Sequence, residues 1–162
     1  MPGQQIVFDT LRAAGIPYQI IEHEAVYTLE EIDRLNLSEK GRILKNLFLR
    51  DAKGKKHFLV CAIEDKPIDL KELRKKLGVS NLSFASEDRL MHYLCLKPGS
   101  VSPFGILNDE GRDVTVVFDS SLEGCESLGV HPNENTATLF LPFKELKRVV
   151  QEHGNPVIML EL

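Results

Sequence analysis

The stretch with the most evident chemistry is Lys97–Leu107, KPGSVSPFGIL. Pro98 and Pro103 fix φ and lack an N–H, while Gly99 and Gly105 can take backbone angles closed to other residues. A loop held stiff in this way exposes the amides of Gly99, Ser100, Val101 and Ser102. A concave run of donors suits an anion, a carbonyl oxygen or an oxyanion. The same composition also suits a plain tight loop between two elements, since Gly and Pro mostly mark turns.

Two further residues are candidates. Lys45 sits inside the apolar run ILKNLFL. A buried ammonium is costly, so the side chain must reach water along its stem or find a partner, such as a phosphate or carboxylate. Asn46 points to the opposite face if the strand is regular, and shares a site with Lys45 only if the strand ends or bulges there. His131, in LGVHPNENT, lies where a strand meets a turn; it could be structural or functional.

Other chemistries lack support. The histidines show no HExxH and no paired Cys/His spacing, so no metal site is expected. There is no GxSxG elbow, no Walker or dinucleotide fingerprint, and no cysteine in an evident reactive setting. No Asp/Glu pair stands out from the 24 acidic residues. No cofactor is expected.

The elements that must position these residues follow from the pattern. A helical spacing runs over Gln4–Ala14 and closes at Gly15. Pro17–Glu22 reads as a short strand, and Thr28 with Glu31 forms a capping box for a helix to about Leu35. Arg42–Arg50 and Lys56–Ile63 read as strands joined by a turn at Asp51–Gly54, the second being apolar enough for a central position. Asp69 with Glu72 starts a helix that Gly78 closes; Leu82–Ala85 is a short strand, and Ser86 caps a helix over about Glu87–Leu94. Phe104–Leu107 and Val114–Asp119 are expected to pair as a hairpin. Ser127–His131 and Thr136–Leu141 read as strands, followed by a helix from Pro142 to about His153, a cap at Gly154 and a last strand over Pro156–Leu162. Hairpins mixed with helical crossovers predict an α/β mixed (α+β) fold: a curved mixed sheet or partial barrel with helices packed outside, one domain over 1–162.

The chain has 162 residues, with 43% hydrophobic and 27% charged, ordinary values for a soluble globule with a real core. No apolar run approaches the roughly 18 residues of a membrane span, and the N-terminus lacks a signal-peptide pattern. Three scattered cysteines, Cys61, Cys95 and Cys125, read as reduced and mostly buried, which suits the cytoplasm. The net charge of −4 argues against non-specific coating of nucleic acid. It leaves room for a local basic patch, and Lys40, Arg42, Lys45, Arg50, Lys53, Lys55 and Lys56 fall in one short region.

Taken as an ordered set, Lys45 in KNLFL, the PGSVSPFG loop with its G-x-x-x-P spacing, the G-x-H run from Gly129 to Thr136, and HEAVYTLEE from His23 to Glu31 resemble the YbaK/prolyl-tRNA-synthetase editing family over nearly the whole chain. The freestanding prolyl-tRNA editing branch is the most similar; the cysteinyl branch usually shows Lys-Thr where this chain has Lys45-Asn46. The resemblance implies a YbaK-like fold and hydrolysis of the ester between a wrong amino acid and tRNA, Ala-tRNA(Pro) foremost. Lys45, Gly99 and His131 would then be the catalytic set. Lys45 would hold the phosphate or ribose of the terminal adenosine. The loop of Gly99, Ser100, Val101, Ser102 and Pro103 would offer amides to the carbonyl and its oxyanion. His131 with Gly129 would form the pocket floor, and Tyr27, Thr28 and Asn46 would complete the substrate-binding surface. Positioned water and the neighbouring ribose hydroxyl would supply the chemistry, with no protein nucleophile. The implied partners are the tRNA acceptor end and prolyl-tRNA synthetase. A Cys-tRNA(Pro) deacylase and a non-catalytic module sensing an amino acid or charged tRNA remain as alternatives.

Overall fold

The computed structural model describes residues 2–25, 30, 34 and 41–162. Of the helix expected from Thr28, only Glu30 and Arg34 are described, and both are helical; Tyr27 and Thr28 lie outside the described residues.

The strands are β1 (Gln19–Glu22), β2 (Arg42–Arg50), β3 (His57–Ile63), β4 (Ser83–Phe84), β5 (Val114–Asp119), β6 (Leu128–Val130), β7 (Ala137–Leu141) and β8 (Val157–Leu160). They form one eight-stranded sheet in the order β1-β7-β6-β2-β3-β5-β8, with β4 beside β2. Pairing is mixed. β1–β7, β6–β7, β2–β3 and β2–β4 are antiparallel, whereas β2–β6, β3–β5 and β5–β8 are parallel. β1 and β8 end the order without pairing to each other, so the sheet is open rather than a closed barrel. All seven residues of β3 are buried, as its unbroken apolar run requires between two neighbours and two covered faces.

Helices cover both faces. The larger core joins α1 (Pro2–Ala13), α3 (Glu87–Leu94) and α4 (Phe143–His153) to the sheet through Val7, Leu11, Leu90, Leu94, Leu146 and Val150. The smaller one seats Leu73 of α2 (Leu70–Leu77) on Leu49, Phe58, Val60 and Val117. Each such fully buried side chain contributes ~1.5–3 kcal/mol relative to exposure. The caps are those the sequence specifies. Asp69 accepts from the amides of Lys71 and Glu72, Gly78 ends α2 at φ 69°, and Ser86 accepts from Arg89.

Two expectations are overturned. Phe104–Leu107 is not a strand but part of a 3-10 helix, Pro103–Asn108. Both edges of β5 are already taken, by β3 and β8, which leaves no place for a hairpin partner. Locally, Ser102 caps the turn through Phe104 N, and Pro103 at its start has the φ a helix needs. Phe104 and Ile106 are then fully buried, and Gly105 packs so closely that an added Cβ would lie 2.6 Å from Leu96 Cδ1. The cysteines are also less buried than expected. Cys61 is buried, Cys125 is partly so, and Cys95 is exposed where α3 ends at φ 55°.

Candidate functional site

β2 keeps an unbroken register against β3 from Leu44 to Arg50. Its side chains therefore alternate. Leu44 and Phe48 enter the larger core, Leu47 and Leu49 the smaller one. Asn46 faces the same way as Leu44 and Phe48, and its Nδ2 donates to Val101 O at 3.1 Å. Asn46 Oδ1 is buried without a hydrogen-bond partner. Lys45 faces the other way. Its ammonium donates to the Lys66 carbonyl, and burial lowers its pKa, with Asp65 acting in the opposite sense. Of this neighbouring pair, Asn46 is the residue that touches the Pro/Gly loop.

The loop is built from a tight turn and a cap. Ser100 N donates to Lys97 O at 3.0 Å around Pro98 and Gly99, the latter at φ 86°. This is the sequence signature of a type II turn, whose third residue needs the left-handed region. The turn consumes the Ser100 amide, so that donor is not free as the sequence suggested. The amides of Gly99, Val101 and Ser102 donate to no acceptor among the described residues. Ser102 is fully buried. Its Oγ donates to His131 O at 2.5 Å and accepts from Phe104 N at 3.2 Å. One hydroxyl thus fixes the end of the loop, the start of the 3-10 helix at Pro103 and the strand-to-turn junction at His131.

His131 Nδ1 lies 3.4 Å from Ala137 O, and Nε2 has no partner among the described residues. Burial lowers the His131 pKa, the Ala137 carbonyl opposes this, and His23 lowers it further. The ring is therefore neutral at pH 7. With Nδ1–H on Ala137 O, its Nε2 lone pair can accept a proton or a hydrogen bond. Gly129, two residues earlier, pairs with Ile43 on one side and Phe140 on the other. A Cβ there would meet Ile43 Cδ1 at 2.6 Å and Phe140 Cε1 at 2.9 Å, so any larger residue must push these side chains aside.

Beside the turn lies a cavity of about 310 Å³. Lys97 and Ser100 form one side of it; Asn133, Glu134, Asn135 and Thr136, from the turn after His131, form another. Asn133 and Glu134 did not emerge from the sequence. The available signal was the Asn after His-Pro: asparagine tolerates the left-handed region, and Asn133 occupies it at φ 61°.

The structure thus joins Asn46, Val101, Ser102, Pro103 and His131 through direct contacts, with Gly99 and Ser100 in the adjoining turn and Gly129 supporting the strand below. It sets Lys45 on the opposite side of β2. The chemistry present is a set of fixed amide donors and a neutral imidazole, with a cavity of mixed, mainly apolar lining beside the turn; such donors suit polarising a carbonyl and stabilising an oxyanion. Among the described residues, no group of three or more His, Cys, Asp or Glu is placed to hold a metal ion, and no helix is long and apolar enough to cross a membrane.

Comparison with known proteins accords with this chemistry. The chain is 49% identical over 162 residues to the prolyl-tRNA editing protein ProX of Acetoanaerobium sticklandii, covering 100% of this chain and 99% of that one. It is 38% identical over 154 residues to the mouse prolyl-tRNA synthetase associated domain-containing protein 1, covering 93% and 90%. A 118-residue match at 28% identity, covering 73% of this chain and 20% of the other, falls within the proline–tRNA ligase of Aquifex aeolicus. A solved structure described as a candidate trans-editing enzyme for prolyl-tRNA synthetase shares the fold, with a TM-score of 0.76 at 22% identity over 100% of this chain and 98% of that one. Residues 23–149 match the aminoacyl-tRNA editing domain, and the chain belongs to that family.

Proposed function

We propose that this aminoacyl-tRNA deacylase removes alanine from mischarged tRNA(Pro). The observation that carries the reading is the amide turn at Gly99–Ser102, tied to His131 by the Ser102 hydroxyl and set beside a small cavity. The ester carbonyl would accept from the free loop amides, which strengthen their hold as the oxygen becomes an oxyanion; one such donor is typically worth about 3 kcal/mol of barrier. His131 Nε2 would orient the attacking water or the ribose hydroxyl. An aminoacyl ester is an activated bond, so placement and electrostatics suffice without a protein nucleophile.

Lys45 has a different part in this reading. Its ammonium would hold a backbone phosphate of the acceptor end, exchanging the Lys66 carbonyl for it. Exposed Lys53, Lys55 and Lys56, on the loop between β2 and β3, would add to the attraction for RNA. Size would exclude proline, whereas discrimination among small side chains is limited to about 1–3 kcal/mol per methylene. The match within a proline–tRNA ligase supports prolyl-tRNA synthetase as a partner; editing of charged tRNA suits the cytoplasm as the place of action.

The test is hydrolysis of labelled Ala-, Ser- and Cys-tRNA(Pro) by the purified protein. Alanine should leave fastest. Faster loss of cysteine would assign the cysteinyl substrate instead. Binding of charged tRNA with no release above the buffer rate would make the protein a sensor rather than an enzyme.

A further inference from the structure

Charge is spread unevenly over the helices. α2 carries four basic residues against one acidic residue in eight positions, in a chain whose net charge is −4. On α4, by contrast, Lys147 pairs with Glu123, and Arg148 with Glu145 and Glu152. Among the described residues, the one ion pair on α2 joins Lys75 to Glu72 at 3.5 Å, both well exposed, an arrangement worth little in water. Lys76 is turned to the Glu161 carbonyl. Lys71 and Lys75 are exposed and Arg74 is half-buried.

A second cationic element adjoins this helix. Ala52 N donates to Ser80 Oγ at 3.2 Å, which joins the turn between β2 and β3 to the segment just after the Gly78 cap. That turn carries Lys53, Lys55 and Lys56, all exposed and without an ion pair among the described residues. Lys45 lies on the same side of the sheet, since it shares its face of β2 with Leu47 and Leu49, where α2 packs. An aromatic ring stands there too. Phe84 is 62% exposed, more than any other large apolar side chain among the described residues. It sits directly opposite Leu49 in the β2–β4 register, so it projects to the α2 side. Just beyond Phe84 the chain enters α3, about 12 Å long, whose Met91 and C-cap Cys95 line the cavity.

Cations on two joined elements, left without carboxylates, suit a run of phosphates, and an exposed ring among them suits an unpaired base. We infer that the α2 face is an exosite for the RNA next to the charged 3′ end, with phosphates on α2 and the β2–β3 turn and an unpaired base on Phe84. This rests on the deacylase reading and goes beyond its pocket. Polarising the ester needs none of these side chains; they hold the body of the tRNA while its end reaches the cavity.

The experiment separates exosite from pocket by the length of the RNA. The binding probes are an uncharged acceptor-stem hairpin ending in unpaired ACCA and the same hairpin cut blunt. The ester probes are Ala-tRNA(Pro) and 3′-O-alanyladenosine, which carries no phosphate. Lys71→Gln/Lys75→Gln should weaken both hairpins roughly tenfold and lower the slope of log affinity against log salt by about 1.5. Phe84→Ala should weaken the ACCA hairpin roughly tenfold and spare the blunt one. In each variant KM for Ala-tRNA(Pro) should rise, while alanyladenosine is cleaved at the native rate. Native affinity and slope in the lysine variant overturn the inference, and so does an equal loss on alanyladenosine. Tighter binding of poly-glutamate than of a hairpin of equal charge would assign the face to an acidic protein and overturn it as well. Hairpin binding that follows the expected pattern, with neither ester cleaved by the native protein, would sink the deacylase reading and leave the exosite standing.

Discussion

Ser102 Oγ lies 2.5 Å from the carbonyl oxygen of His131, although 29 positions separate the two residues. The hydroxyl also caps the 3-10 helix through Phe104 N, and it is fully buried. Ser102→Ala leaves a buried carbonyl and a buried amide short of a partner, which costs about 1–3 kcal/mol. Denaturant unfolding should show that loss. In steady-state kinetics kcat should fall more than KM rises, because the loop amides and His131 lose their common anchor. Native-like stability together with native kcat would show that the tie positions nothing.

Lys45 and Asn46 are adjacent in sequence and on opposite faces of β2, so their variants should fail differently. Asn46→Ala releases Val101 O and loosens the loop; kcat should drop by tenfold or more, about 1.4 kcal/mol of barrier. On the proposed reading, Lys45→Ala removes a phosphate grip that would act equally on ground and transition states; KM should rise, with a shallower salt dependence. The reverse pattern, with kcat lost in Lys45→Ala and KM in Asn46→Ala, would exchange the two roles.

Gly129→Ala should destabilise by about 1–3 kcal/mol, because the new methyl overpacks Ile43, Phe140 and Thr138. Any shift of β6 is carried to His131, two residues on. Urea midpoints and deacylation rates measured side by side give the comparison. An Ala variant as stable and active as the native chain would show that the strands part without strain.

Much of this was readable in advance. Caps at Asp69, Gly78 and Ser86 and the unbroken apolar run of β3 act locally, and the structure follows them. The 3-10 helix did not show, because whether Phe104–Leu107 can be a strand depends on which neighbours β5 already has, a non-local fact. The Pro98–Gly99 turn was legible from residue type. The meeting of Ser102 with His131 was not, since nothing in either segment encodes the other's distance. Alternation along β2 was the sequence-level warning that Lys45 and Asn46 separate. Asn133 and Glu134 stayed hidden because lining a cavity depends on a residue's surroundings, not on its type.

Two histidines set a pH limit on stability. His57 is buried, stacked on Phe48 and in tilted contact with Tyr93, with Arg89 Nη1 3.1 Å from its Nε2. Burial lowers its pKa, and the Arg89 charge lowers it further; burial lowers that of His131 as well. Below about pH 6.5 the unfolded chain therefore binds more protons than the folded one, and stability falls with pH. Asp51 and Asp119 have lowered carboxylate pKa values and add to the loss only at more acidic pH. The urea midpoint should drop between about pH 7 and about pH 5.5. A His57→Gln, His131→Gln pair should flatten that slope. A midpoint that holds or rises as the native chain is acidified would contradict the two neutral imidazoles.

The most direct measurement is single-turnover release of the amino acid from Ala-tRNA(Pro) and Pro-tRNA(Pro) under identical conditions, with protein in excess. Alanine should be freed far above the buffer rate while proline stays attached. Release of both at one rate, or of neither, would contradict the proposed polarisation of a small residue's ester carbonyl by the Gly99–Ser102 loop and His131.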